Sequence, residues 1–303
     1  MTGVLKMDYD ERAFLFDCDG DSLPGIVTCP RADAASDAIV RLGVLIVGAS
    51  SQYRAGAHRH FVLLARALAA GGVPCMRFDR RGMGDATGAP RAFDAMQADI
   101  GAALDAFFVE APTLTGVMLW GLCDGASASV FYAGGDPRVD GLLLLNPWVH
   151  TETGAARVFL RHYYLRRLFS RAFWGKFLVG GVAPARALRD LWAEIHRARG
   201  GRMRGKTALP GDEGTLPERM CFFLQAISVP WWVILSGQDH VAREFDRIAA
   251  SPGWAGLFPA RAPYRLPDAD HTFSSATWRN EVVDKTLSCA QAVTDVMKML
   301  EFS

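Results

Sequence analysis

The chain is expected to fold as an α/β protein with a mostly parallel sheet, helices on both faces and one inserted helical segment. Three observations in the sequence carry this. Short aliphatic runs alternate with helix-period segments, which is the pattern of a doubly wound sheet. The runs are apolar at nearly every position rather than every second one, as in strands covered on both faces. The interval 150–228 breaks the alternation and is too long for an ordinary connection between elements.

Taken in order, residues 12–17 and 23–29 read as two strands around the turn-rich Asp17-Cys18-Asp19-Gly20-Asp21-Ser22, an antiparallel hairpin at a sheet edge. The run 42–47 is a buried strand, and Phe61, Leu64, Ala65 and Leu68 follow at helical spacing. Residues 73–78 give a strand, 93–109 an amphipathic helix, 117–120 a third buried strand and 126–133 its helix. Further strands are expected at 142–145, 231–235 and 264–266, with a closing helix over 282–300. Residues 1–149 and 229–303 therefore form the core. The helical, aromatic and basic interval 150–228 reads as a cap over the carboxyl edge of the sheet, where ligands of such folds sit.

Composition narrows the classes of function. The 303 residues are half hydrophobic and carry a net charge of +1, without the basic excess that nucleic-acid binding usually demands. The charge is unevenly spread: residues 151–220 hold fourteen Lys and Arg against six Asp and Glu, and the remainder of the chain is net acidic. Six cysteines are scattered with no C-x-x-C pair and no zinc-like spacing, so neither a metal nor another cofactor is expected, and a reducing compartment is. Residues 1–11 are partly acidic and lack the apolar core of a signal peptide. No run approaches the roughly 18 apolar residues of a membrane span. The sequence thus reads as cytoplasmic, without stable membrane insertion.

The chemistry centres on Gly121-Leu122-Cys123-Asp124-Gly125, placed between the strand 117–120 and the small residues 126–130. A strand that turns this sharply into a helix needs glycines on both sides of the nucleophile, because a β-carbon there would strike neighbouring backbone. Cys123 then stands at a helix N-terminus, where N–H groups and the helix dipole favour an anion, so its thiol is expected to ionise more readily than a free one. A catalytic thiol needs a base and a group that orients the base. In folds with this turn, acid and histidine follow late strands in the order nucleophile, acid, histidine. Asp239 follows the strand 231–235 and His271 follows 264–266. Asp239 could instead cap the helix that begins beside it, with Asp268 or Asp270 as the acid. His240 is expected at the surface, and His58 and His60 on different helix faces, unsuited to one metal. Gly82-Met83-Gly84-Asp85-Ala86-Thr87-Gly88 misses the dinucleotide fingerprint, because Thr87 takes the place of its third glycine, and reads as a turn.

The oxyanion donors are expected to be the N–H of Asp124 and, from the loop after 42–47, that of Ser50, with Ser51 as the alternative. Ser51, Gln52, Tyr53 and Arg54 in the same loop, and Trp148 after the strand 142–145, are candidate substrate contacts; the loop residues could equally serve only to order the loop.

These residues resemble the α/β-hydrolase superfamily. More narrowly the chain is similar to the first of the two hydrolases named exosortase A system-associated in bacterial exopolysaccharide and protein-sorting loci. The likeness spans nearly the whole chain. It rests on Gln52-Tyr53-Arg54, Ala57-His58-Arg59 running into Phe61 to Arg66, Arg77-Phe78-Asp79 through Arg81 to Asp85, Trp120 to Asp124, Leu145-Asn146-Pro147-Trp148, and His271-Thr272-Phe273-Ser274. The superfamily likeness implies hydrolysis or transfer of acyl groups, whereas the narrower family is named for genomic company and implies no substrate. Most α/β-hydrolases have serine where this chain has Cys123. Dienelactone hydrolases and polyhydroxyalkanoate synthases are similar to it in this respect, so both outcomes of an acyl-enzyme stay open.

The reading from sequence is an ester or thioester hydrolase that passes through acyl-Cys123, or an acyltransferase using the same intermediate with an amine, alcohol or thiol as acceptor. The basic interval 151–220 points to an anionic donor such as a CoA or carrier-protein thioester. A third reading is non-catalytic: Arg157 to Leu178, rich in aromatic residues among arginines, could bind a partner or a membrane surface.

Overall fold

The computed structural model describes residues 9–31, 41–149, 214–254, 256–258 and 262–301. Most of the expected cap, including Arg157 to Leu178, lies outside them. By contacts the chain divides into two compact units, one of residues 1–149 with 220–303 and one of 150–219. The sheet belongs to the first.

Its eight strands have the order β1-β2-β4-β3-β5-β6-β7-β8. They are β1 (Tyr9–Cys18), β2 (Asp21–Pro30), β3 (Leu42–Val47), β4 (Cys75–Phe78), β5 (Gly116–Leu122), β6 (Val139–Leu145), β7 (Trp231–Ser236) and β8 (Tyr264–Leu266). β1 and β2 pair antiparallel, β2 joins β4 antiparallel, and every other pairing is parallel. The hairpin strands run further than the sequence pattern marks, because the turn needs only Asp19 and Gly20, both at positive φ (55° and 85°). β3, β4 and β5 are buried at every position.

The described helices of this unit are α1 (His60–Ala70), α2 (Gln97–Glu110), α3 (Asp124–Ala133), α4 (Leu216–Ala226, most of which lies in it), α5 (His240–Ala249) and α6 (Ala276–Glu301). Residues 93–95 form a separate 3-10 turn before α2 rather than its first turn. α6 starts six residues before the expected 282. Its polar first turn hides the period, and Ser275 Oγ accepts from Trp278 N at its start. α1 and α6 pack on each other over one face, and α2 and α3 over the other. Trp120 on β5 shows the apolar side of this packing: it is fully buried against Phe61 and His60 of α1, and its Nε1 donates to Thr286 Oγ1 of α6 at 3.3 Å. Burying a side chain of this size stabilises the fold by about 1.5–3 kcal/mol. No helix among the described residues is long and apolar enough to cross a membrane.

Candidate active site

Cys123 occupies the single residue between β5 and α3, with φ 58° and ψ −123°. A non-glycine residue rarely adopts this conformation, and such strain persists only where neighbours over-determine it. They do so here. Cys123 N donates to Leu145 O of β6 at 2.9 Å, Trp148 N donates to Cys123 O at 3.2 Å, and Ala126 N to the same carbonyl at 3.1 Å. Both flanking glycines are sterically required: a β-carbon on Gly121 would strike the backbone of Ala126, and one on Gly125 the carbonyl oxygens of Val47 and Gly48.

The expected ease of ionisation is overturned. Burial pushes the Cys123 thiol well above its ordinary range, and the carboxylate of Asp124 adds to the rise. The N–H of Asp124 offsets part of it, and the more distant charge of Asp239 adds a little more. Position at a helix N-terminus is legible from sequence. The desolvation that outweighs it comes from tertiary packing.

On the far side of β6, His271 Nδ1 lies 2.8 Å from Asp239 Oδ2. Asp239 also caps α5, accepting from Val241 N at 3.2 Å and Ala242 N at 3.1 Å. The two roles weighed in the sequence, cap and partner of the histidine, thus coexist in one carboxylate. Burial alone would raise Asp239, but the bond and charge of His271 and the two cap N–H groups outweigh it and hold the carboxyl below its usual range. Asp268 is exposed. Asp270 turns back on its own loop, accepting from Thr272 N at 3.0 Å, Ser274 N at 3.1 Å and Ser274 Oγ, so it braces the histidine loop. In that loop Phe273 is fully buried at φ 52°, against the ring of His60. His271 is 31% exposed through its side chain. Asp239 takes Nδ1, which leaves Nε2 for a substrate or the sulfur. Cys123 Sγ and the ring of His271 are not hydrogen-bonded to each other.

The loop after β3 differs from expectation at Ser50. Ser50 N, expected to face an oxyanion, donates instead to Asp124 Oδ1 at 2.8 Å, and Ser50 Oγ donates to the other oxygen of the same carboxylate. Ser50 O accepts from the buried Arg80 guanidinium at 2.8 Å, which fixes the turn from beneath. Arg54, weighed as a substrate contact or as a residue that orders the loop, has bonds that fit the second role: its N and guanidinium bind Asp79, and Nη2 binds Asp85 Oδ2 at 2.6 Å. Ser51 and Tyr53 are exposed, and Gln52 and Trp148 are half-buried. Gln52 N donates to Ala49 O at 2.9 Å, while its side-chain Oε1 is buried without a partner.

Of the other residues weighed from sequence, His240 is exposed at the start of α5. His58 sits in a 3-10 turn at positive φ, while His60 is fully buried. Gly82, Gly84 and Gly88 all have positive φ, as a turn there requires. Sequence reasoning missed Asn146 and Ser236, whose side chains reach the histidine loop. The available signal was an asparagine directly after a buried strand, a residue type that tolerates positive φ.

The sequence matches the alpha/beta hydrolase family over residues 18–284. Among curated proteins none matches it. Among solved structures it is similar to an esterase of Pyrococcus furiosus, with a TM-score of 0.60 and 12% identity over 93% of this chain and 90% of that one. It is also similar to an α/β serine hydrolase without lid from Xanthomonas campestris, with a TM-score of 0.52 and 16% identity over 95% of each chain. An α-β serine hydrolase homologue of Coxiella burnetii gives 0.53 and 15% identity over 91% of this chain and 96% of that one. At these identities the structures speak to the fold alone. The family match covers most of the chain, and the mostly parallel sheet, with its strained turn between β5 and α3, agrees with it: the chain belongs to the alpha/beta hydrolase family.

Proposed function

We propose that the chain is a cysteine-dependent hydrolase of esters or thioesters, acylated on Cys123. The observation that carries the proposal is the strained turn at Cys123 on the same sheet edge as the His271–Asp239 pair. Because burial holds the thiol protonated, proton removal accompanies attack instead of preceding it. Sγ forms a bond to the acyl carbon as its proton passes to His271 Nε2. Asp239 accepts from Nδ1–H, fixes that tautomer and stabilises the imidazolium. The N–H of Asp124 faces the developing oxyanion. A second donor comes from the turn 48–51, where the Asp124 carboxylate must release Ser50 N. Collapse expels the alcohol or thiol with the proton returned by His271; water, deprotonated by the same ring, then attacks the acyl carbon, the C–Sγ bond breaks, the acid leaves and the proton passes back to Sγ.

The donor is a small-molecule ester or thioester of an acyl group. The basic surplus of 151–220 favours an anionic one, such as a CoA or carrier-protein thioester. The six free cysteines fit a reducing compartment, as in the cytoplasm. Narrower kinship with the exosortase A system-associated hydrolases is part of the same proposal and rests on the motifs around Gln52, Arg77 to Asp85, Cys123, Asn146 and His271.

The test is intact-protein mass spectrometry after exposure to a panel of acyl thioesters and p-nitrophenyl esters. Wild type should gain the acyl mass, mapped to Cys123, and Cys123→Ala should lose the adduct and on the order of 10⁶-fold in kcat. Wild type that never acylates, or a Cys123→Ala variant that turns over at the wild-type rate, overturns the reading. Adding amine, alcohol or thiol acceptors separates hydrolysis from transfer by product.

A further inference from the structure

Asn146 is the first residue beyond β6, fully buried and at φ 46°. Both N–H groups and the oxygen of its side-chain amide are engaged. Nδ2 donates to Ser236 Oγ at 2.9 Å and to His271 O at 3.1 Å, and Oδ1 accepts from Ser236 N at 2.8 Å. Ser236, the last residue of β7, donates in turn from Oγ to Asp270 O at 2.9 Å. Two successive carbonyls of the histidine loop, those of Asp270 and His271, are therefore held by side chains from the ends of two neighbouring strands. The acid comes from the same place, since Asp239 lies three residues beyond Ser236.

The main chain around Asn146 holds the nucleophile as well. Leu145 O, just before it, accepts from Cys123 N at 2.9 Å, and Trp148 N, just after it, donates to Cys123 O at 3.2 Å. Asn146 N itself donates to Ile234 O of β7 at 3.0 Å. One short segment thus grips the peptide of Cys123 with its backbone and the peptide of His271 with a side chain.

We infer that Asn146, seconded by Ser236, is a positioning residue that sets the distance and angle between the Cys123 sulfur and the His271 ring. The inference rests on the proposed pairing of Cys123 with His271 in catalysis. The residue type follows from the geometry. Positive φ favours asparagine or glycine, two donors and one acceptor are needed at once, and an uncharged group leaves the field at the imidazole to Asp239. An aspartate could accept from Ser236 N but could not donate to His271 O.

The test compares Asn146→Gly, which keeps the backbone freedom and deletes the amide, with Asn146→Asp and the milder Ser236→Ala. p-Nitrophenyl acetate is the substrate, and active sites are counted by the acylation burst. Asn146→Gly should lose about 100-fold in kcat per active site with KM within about twofold, as expected for a displacement on the order of 1 Å. Ser236→Ala should lose about tenfold by the same argument. Asn146→Asp should move the acid limb of the kcat/KM profile to higher pH, because a carboxylate there adds negative charge beside the peptide of the general base. A merely structural role would lower the melting temperature and the number of active sites while leaving the rate per site and the acid limb in place. That result overturns the inference. If Asn146→Gly does not fold, Ser236→Ala and Asn146→Asp decide by the same readouts. Turnover that survives in Cys123→Ala brings down the underlying reading instead, and the two failures are told apart by that control.

Discussion

Two pairs of carboxylates, one on each side of Cys123, are held in different ways. On the β3–β4 side, buried Asp79 binds Arg54, and buried Asp99 binds Arg81 through Nε and Nη2, each guanidinium reaching a second carboxylate, Asp85 or Asp19. On the β7–β8 side, Asp239 and Asp270 are held by backbone N–H groups and hydroxyls, and among the described residues neither forms an ion pair with an arginine. A carboxylate already matched by a guanidinium has little field left for a third group, whereas one held by neutral donors keeps its charge for whatever cation arises beside it. In the proposed mechanism that cation, for Asp239, is the His271 ring once it has taken up a proton. In that mechanism the arginine-bound carboxylates stay put, and Asp239 answers a proton.

Three substitutions probe this contrast. Asp239→Asn should be the most damaging to turnover, with kcat down about 10⁴-fold as the ring loses its tautomer control. Stability should hardly change, since asparagine caps α5 as well as aspartate does. A tenfold loss or less in p-nitrophenyl acetate hydrolysis would reduce Asp239 to a helix cap and erase the difference between the flanks. Asp99→Asn should do the reverse. It leaves the Arg81 side chain, only 4% exposed, with no buried counter-charge, at a cost of about 3–5 kcal/mol in urea unfolding and with kcat per folded molecule unchanged. A cost under about 1 kcal/mol would mean that the pair does not lock that flank.

The third concerns the buried base beside the histidine loop. Burial first, and Arg279 second, lower His60 from 6.5 to about 4. Between those values the unfolded chain binds a proton that the folded chain refuses. The stability His60 leaves intact at neutral pH is therefore lost as pH falls through 6.5 toward about 4, by up to ~3 kcal/mol. His60→Leu should flatten that slope, with stability at pH 8 within about 1 kcal/mol of wild type, because both ring nitrogens lack partners in an aromatic surround. Urea unfolding at pH 8 and pH 4.5 checks this, and an unaltered acid slope would clear His60 of the role.

What the sequence disclosed was whatever spacing along the chain can encode. The turn at Cys123 is local, since its two glycines and the flanking strand and helix fall within a few residues. Asp239 and His271 are readable because each follows a strand of the winding order. The bonds that decide how the site behaves join distant residues and have no local signature: Ser50 N to Asp124, Arg54 to Asp79, and Asn146 to Ser236 and His271. The thiol shows the limit most directly. Its place at a helix N-terminus is written in the motif, but burial, which dominates its protonation, is a property of the assembled core.

The contact between Gly125 and the end of β3 has a mechanical consequence. Backbone meets backbone there, with no side chain between to act as a cushion. The strand end that launches the Ser50 turn and the helix that carries the sulfur must therefore travel together. A displacement of the end of β3 presses directly on the first turn of α3, the turn that begins beside Cys123.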